Sequence, residues 1–178
     1  MPDFSSATYR LTSNPATAGF HTTSDQTRPL RVAINGFGRI GRNVLRALLE
    51  RFEVLGRAIH VVAINDLAPA ETLLHLLRFD STHGRLSQLG VTADIVQDGF
   101  TDHQQKPCAT AKNDIQLCLT KNNLTYCIRL LSRENPETLP WKDLQVDVVL
   151  ECTGHYRSYE QASLHIEAAA KQVTIGPA

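Results

Sequence analysis

The chain has 178 residues, of which 42% are hydrophobic, and its 18 basic side chains balance 18 acidic ones. That length suits one domain whose core needs no disulfide or metal support. The zero formal charge excludes a basic field for nucleic acid or anionic membrane, and no apolar run reaches the ~20 residues that cross a bilayer.

Residues 1–29 are rich in Ser and Thr, with Arg10 and Arg28 as their basic residues, and contain no continuous apolar stretch of the secretory kind. They are expected to form a disordered tail, with a transit peptide as the alternative. Order is expected from Leu30 onward, as one domain over 30–178. Leu30–Asn35 is short, apolar and β-branched, and suits a buried strand. The next residues, Gly36-Phe-Gly-Arg-Ile-Gly41, open a helical pattern with Ile40, Val44, Leu45, Leu48 and Phe52 on one face and Gly56 as its stop. Ile59–Ile64 reads as a second buried strand. Pro69 then starts a helix with Ala70, Leu73, Leu74 and Leu77 inward. Strand, helix, strand, helix argues for a βαβ unit with parallel strands.

The pattern changes after Ser81. Gln116–Thr120 and Leu124–Ile128 read as strands of a hairpin turning through Lys121-Asn122-Asn123, and Gln97–Asn113 reads as a polar surface loop. Alternation then resumes with a strand at Val146–Glu151. A capping box of Ser158 and Gln161 starts a helix carrying Ala162, Ile166 and Ala169 inward, and a strand follows at Val173–Ile175. The expected fold is α/β, a Rossmann-type doubly wound, mostly parallel sheet with an inserted β-hairpin region. Cys108, Cys118, Cys127 and Cys152 form no C-x-x-C pair. That speaks against a zinc site or a thioredoxin-like pair, and free thiols in a reducing cytosol are expected, with a disulfide framework as the alternative.

The G-x-G-x-x-G pattern is a weak signal alone, but here it follows a strand, opens a helix and precedes an acidic residue at the end of the next strand. Gly36 permits the tight turn, Gly38 lets a pyrophosphate approach the backbone, and Gly41 lets helix and strand pack closely. The first turn, with Arg39 and Ile40, presents free N–H groups to phosphate. Arg39 reads equally as a pyrophosphate contact or as a solvated side chain. Asp66, 25 residues after Gly41, would accept from ribose hydroxyls and repel a 2′-phosphate, favouring NAD over NADP. The plainer reading of Asn65-Asp66 is a turn after a strand.

These residues resemble the glyceraldehyde-3-phosphate dehydrogenase family. The resemblance rests on Val32-Ala-Ile-Asn-Gly-Phe-Gly-Arg-Ile-Gly-Arg42, Ala63-Ile-Asn-Asp66, Phe79-Asp-Ser-Thr-His-Gly-Arg85, Arg133-Glu-Asn-Pro136 with Leu139-Pro-Trp141, and Val146-Asp-Val-Val-Leu-Glu-Cys-Thr-Gly154. It covers nearly all of the chain after the tail. The resemblance implies an NAD-binding domain, with the Arg133 backbone beside the adenine, Thr153 and Gly154 at the adenine ribose and phosphates, and Tyr156 near the adenine. A packed aromatic at the start of a helix is the other reading of Tyr156.

The family oxidises an aldehyde through a cysteine thioester, with hydride transfer to NAD. The resemblance also implies cytoplasmic carbohydrate metabolism and a homotetramer for the complete enzyme. Its glyceraldehyde and erythrose branches both stay open. Glu50–Ala58, His75-Leu-Leu77 and Leu139-Pro-Trp141 are similar to the erythrose branch, whereas Asp66 leans to the other.

Two departures stand out. The stretch Lys171-Gln-Val-Thr-Ile-Gly-Pro177 is one residue short of the family pattern, which puts a hydroxyl near the nicotinamide in doubt. The sequence also stops before the family's Ser-Cys-Thr-Thr-Asn segment, its catalytic histidine and its phosphate-binding arginines. Cys152 falls where the family has a small residue and is not expected to be the nucleophile. No catalytic residue is therefore assigned, and the chain is expected to need a separately encoded catalytic half. A stand-alone nucleotide-binding or interaction module is the alternative.

Overall fold

The computed structural model describes residues 11–12, 28–52, 55, 57–97 and 114–176. The expected disordered tail and the 97–113 loop lie almost wholly outside these residues, as do Gly56 and Cys108. The elements in chain order begin with β1 (Leu11–Thr12), β2 (Leu30–Asn35), α1 (Arg39–Glu50), β3 (Ile59–Asn65) and α2 (Ala70–Arg78). They continue with β4 (Phe79–Asp80), β5 (Gly84–Arg85), β6 (Thr92–Gln97), β7 (Ile115–Lys121) and β8 (Leu124–Leu131). The last are β9 (Val148–Glu151), α3 (Tyr159–Glu167) and β10 (Gln172–Ile175). Among the described residues one eight-stranded sheet runs β1-β10-β9-β2-β3-β8-β7-β6, and β4 and β5 form a small hairpin of their own.

The pairs β10–β9, β9–β2, β2–β3 and β3–β8 are parallel, whereas β8–β7, β7–β6 and β1–β10 are antiparallel. This is the doubly wound sheet expected from the sequence, with the inserted hairpin widened to three strands by β6. Chain order reverses between β2 and β9, which is the switch point where such sheets open a crevice at their carboxyl ends.

Both faces of the central strands are covered, which explains their near-continuous apolar runs. Ile34 and Ile64 point to one side, into a core with Leu45, Leu49, Leu73, Leu74 and Leu77 from α1 and α2. Ala33 and Ala63 point to the other, where Trp141, Val149, Ala162 and Val173 build a second core beneath α3. The small residues on that face leave room for the Trp141 ring, which is fully buried.

The inward face of α1 is rotated from the sequence reading. Leu45, Leu49, Arg42 and Arg46 are buried, and Ile40, Val44 and Leu48 are only half-buried. Two arginines can lie inward because each finds carbonyl acceptors. Arg42 Nη1 donates to Phe37 O at 3.1 Å, and Arg46 donates to Leu77 O, His83 O and Gly84 O at 3.0, 2.9 and 3.1 Å. Arg42 Nε is left without a partner, but cations buried against carbonyls in this way are invisible to a pattern that scores only apolar residues.

Three further expectations are corrected. Strand β9 starts at Val148 rather than Val146, after a bend at Asp147, whose backbone still bonds Arg31 and Gln172 and whose side chain accepts from Arg28, Lys171 and the Arg31 N–H. Helix α3 ends before Ala169, which is exposed in the left-handed region with φ 72° and so cannot carry the helix's inward face. The thiols of Cys118 and Cys127 are not free but form a disulfide, whereas Cys152 is unpaired. Asn122 and Asn123, with φ of 51° and 63°, make a two-residue hairpin turn. That turn fixes the register in which Cys118 faces Cys127. No helix among the described residues is long and apolar enough to cross a membrane.

Candidate cofactor site

Four parallel strands, β2, β3, β8 and β9, end on the same side of the sheet, and the residues just beyond them enclose a cleft of about 590 Å³. Gly36 and Gly38 follow β2, Asp66 and Leu67 follow β3, and Arg133 and Glu134 follow β8. Thr153 and Tyr156 follow β9 and close the other wall.

The three glycines have separate geometric reasons. Gly36 has φ +90°, and a Cβ there would lie 2.7 Å from the Thr153 nitrogen. A Cβ at Gly41 would lie 2.2 Å from Gly36 O, so a side chain there would force α1 away from β2. At Gly38 a Cβ would meet nothing within 4 Å. Gly38 caps α1 without any side chain of its own to bond the first-turn N–H groups. Those donors, belonging to the Arg39–Gly41 turn, have no intrahelical acceptor. Arg39 is exposed and Ile40 half-buried, and neither side chain lines the cleft.

Asp66 is held on both oxygens. Phe37 N–H donates to Oδ2 at 2.7 Å and Ala68 N–H to Oδ1 at 2.9 Å. A carboxylate oxygen has two lone pairs, so each keeps one directed acceptor for another donor. On the far side, Asn65 grips the Arg133 backbone twice, accepting from its N–H at 2.9 Å and donating to its carbonyl at 2.9 Å. The Tyr156 hydroxyl donates to Glu134 O at 3.2 Å, and its ring meets His165 edge-on at 6.1 Å. Gly154, with φ 75°, turns the chain between Thr153 and Tyr156.

Beneath the cleft lies a buried polar chain. Asn65 Nδ2 donates to Asn35 Oδ1 at 2.7 Å, and Asn35 Nδ2 donates to Glu151 Oε2 at 2.6 Å. Trp141 Nε1 donates to His165 Nδ1 at 3.1 Å, which assigns the ring proton to Nε2, 3.0 Å from Glu151 Oε2. The other Glu151 oxygen accepts from the Thr153 N–H at 2.7 Å and from the Thr153 hydroxyl. Burial pushes the Glu151 carboxyl up, but the bonds from His165, Thr153 and Asn35 outweigh it and hold it below the ordinary value. Beside it, burial and the Glu151 charge push the Cys152 thiol up to about 11. Cys152 is therefore a poor nucleophile at neutral pH.

Comparison with known proteins decides the family. Residues 30–159 match the family described as glyceraldehyde 3-phosphate dehydrogenase, NAD binding domain. The chain belongs to the glyceraldehyde 3-phosphate dehydrogenase family. It is 43% identical over 148 residues to the glyceraldehyde-3-phosphate dehydrogenase of Xanthobacter flavus, covering 82% of this chain and 36% of that protein. It is 42% identical over 146 residues to the enzyme of Chlamydia pneumoniae, covering 82% and 35%. With that of Mycoplasma pneumoniae it shares 39% over 150 residues, covering 84% and 36%. The chain thus spans about a third of the length of these relatives.

As a glyceraldehyde 3-phosphate dehydrogenase NAD-binding domain, the chain takes NAD as its cofactor. The cleft fits that group on three counts: unclaimed N–H donors at a helix start, open space over Gly38, and a carboxylate with acceptors to spare. The sequence reading missed the floor of the cleft. Glu151 and His165 are fully buried titratable groups, 1% and 0% exposed. Their only trace in the sequence is an acid ending an apolar strand and a histidine three residues after Ala162 on the inward face of α3.

Proposed function

We propose that NAD lies across the carboxyl ends of β2, β3, β8 and β9, its pyrophosphate over Gly38 on the first-turn N–H groups of α1. Asp66 receives the adenosine ribose hydroxyls, the Arg133 backbone and Tyr156 border the adenine, and Thr153 and Gly154 flank the phosphates. Gly36 and Gly41 shape the loop, and Arg39 and Ile40 contribute through their backbone. The observation that carries this reading is the open space over Gly38, in front of a helix start, with Asp66 fixed at the next strand tip. A fixed carboxylate that already accepts two N–H bonds repels the 2′-phosphate of NADP.

Bound NAD would supply the hydride acceptor for aldehyde oxidation. This chain's own residues bind and orient it, and the activated cysteine and its base come from sequence outside these residues or from a separately encoded catalytic half. The names of the relatives support glyceraldehyde 3-phosphate as the aldehyde; a homotetramer for the complete enzyme and work in the cytoplasm belong to the same proposal, as what the family resemblance implies. Calorimetric titration with NAD and NADP tests the cofactor assignment. NAD should bind more tightly, and Asp66→Ala should narrow the difference. Equal affinities in the unmodified chain would remove Asp66 from the site.

A further inference from the structure

We propose that Glu151 is a positioning residue for the cofactor: its buried carboxylate, braced from behind by His165 and Asn35, sets the pose of the Thr153–Gly154 wall of the cleft. This rests on the reading of the cleft as the NAD site. The side chain lies at the meeting point of three elements. Asn35 reaches it from the end of β2 at 2.6 Å, His165 from α3 at 3.0 Å, and the Thr153 N–H from the loop after β9 at 2.7 Å. The Thr153 hydroxyl also donates to Glu151 and accepts from the His155 N–H at 3.1 Å.

A need for stability does not explain a carboxylate here. Burying one costs several kcal/mol, and well-packed apolar side chains of the same volume often serve folding as well or better. A carboxylate alone among side chains of this length accepts on both oxygens at once. One oxygen faces the braces and the other faces the cleft loop, so the position of β2 and α3 is passed directly to Thr153. The brace is stiff, because Trp141 fixes the His165 ring from the far side at 3.1 Å. The same network reaches the opposite wall, since Asn35 holds Asn65 and Asn65 holds the Arg133 backbone. Glu151 thus couples the spacing of the two walls between which the dinucleotide must fit.

The substitution Glu151→Gln isolates this role. Its single carbonyl oxygen can still accept from Asn35 and His165, while its amide group turns an N–H against the Thr153 N–H. The full chain should stay folded, with NAD affinity lower by about tenfold, the equivalent of one charge-assisted hydrogen bond. Trp141 is the single tryptophan of the chain, so its emission reports the brace. Saturation with oxidised NAD should shift that emission in the unmodified chain and not in Glu151→Gln, a change that a merely structural residue would not produce. Thr153→Val removes the hydroxyl from the other end of the contact. It should weaken binding less, and non-additively with Glu151→Gln.

A folded Glu151→Gln variant with NAD affinity within about twofold of the unmodified chain overturns the inference. So does a Trp141 emission that ignores NAD in the unmodified chain. If Glu151→Gln does not fold, Thr153→Val decides alone, and undiminished affinity overturns the inference. Absence of any NAD binding by the unmodified chain would instead overturn the reading of the cleft itself.

Discussion

Gly38→Val separates the binding role of the loop from its folding role. At Gly38 the backbone has φ −69°, an ordinary value for any residue, and a Cβ would meet nothing within 4 Å. The folded state therefore has room for the valine Cβ, and its stability should fall by about 1 kcal/mol through loss of a favoured N-cap residue. The same empty space is where the pyrophosphate must approach the first-turn donors of α1. Two charge-assisted hydrogen bonds to phosphate, at roughly 1.5 kcal/mol each, set the loss at about 3 kcal/mol or about a hundredfold in dissociation constant. Gly41→Ala is the contrasting control. Its Cβ would lie 2.2 Å from Gly36 O, so the cost falls on the fold, at about 1–3 kcal/mol or more of overpacking against a gain of about 1 kcal/mol in helix propensity. Urea denaturation and calorimetric NAD titration of both variants provide the assay. A folded Gly38→Val variant that binds NAD as well as the unmodified chain would refute the placement of the pyrophosphate.

Other expectations follow from named contacts. Burial raises the Asp147 carboxyl, but Arg28, Lys171 and the Arg31 N–H outweigh it and hold it well below the usual carboxylate range. A depressed carboxyl stabilises the fold above its unfolded value of about 3.9 and loses that contribution as pH falls toward the folded value. Asp147→Asn should accordingly lower stability at neutral pH and flatten its decline in acid, and an unchanged acid profile in urea melts would contradict this. The Cys118–Cys127 link spans a sequence separation of 9 residues, and its reduction should cost about 2–3 kcal/mol. Mass spectrometry that finds both cysteines fully alkylated without reductant would show the link absent. With Cys152 pushed up to about 11, the 178-residue chain alone should not reduce NAD in the presence of glyceraldehyde 3-phosphate. Sustained NADH formation by pure protein would overturn that expectation.

Strands and ligand loop were legible because local chemistry fixes them. Leu30–Asn35 and Ile59–Asn65 are buried on both faces, so their apolar runs stand out, and between them Gly36 and Gly41 answer to close contacts that a side chain would not survive, while Gly38 keeps open space. The turn at Asn122-Asn123 and the Ser158–Gln161 cap were equally local. What escaped was set by tertiary partners. Arg46 lies inward because distant carbonyls receive it, and Arg42 because the glycine-rich loop turns the Phe37 carbonyl back onto it. Strand β6 was missed because Thr92–Gln97 gains strand character by pairing with β7, not from its own pattern. Glu151 and His165 acquire meaning only when β2, β9 and α3 converge.

The position of β2 at the centre of the sheet has a consequence for synthesis. Its partner on one side, β3, follows within the next thirty or so residues, but its other edge waits for β9, whose Glu151 lies 116 residues beyond Asn35. At ribosomal rates of about 5–20 residues per second, that edge stays unpaired for on the order of ten seconds. During that interval Ala33 and Ile34 offer an open apolar strand edge to any neighbouring nascent chain. A ribosome-bound chain halted before β9 should therefore recruit holdase chaperones strongly, and one halted after β10 should release them.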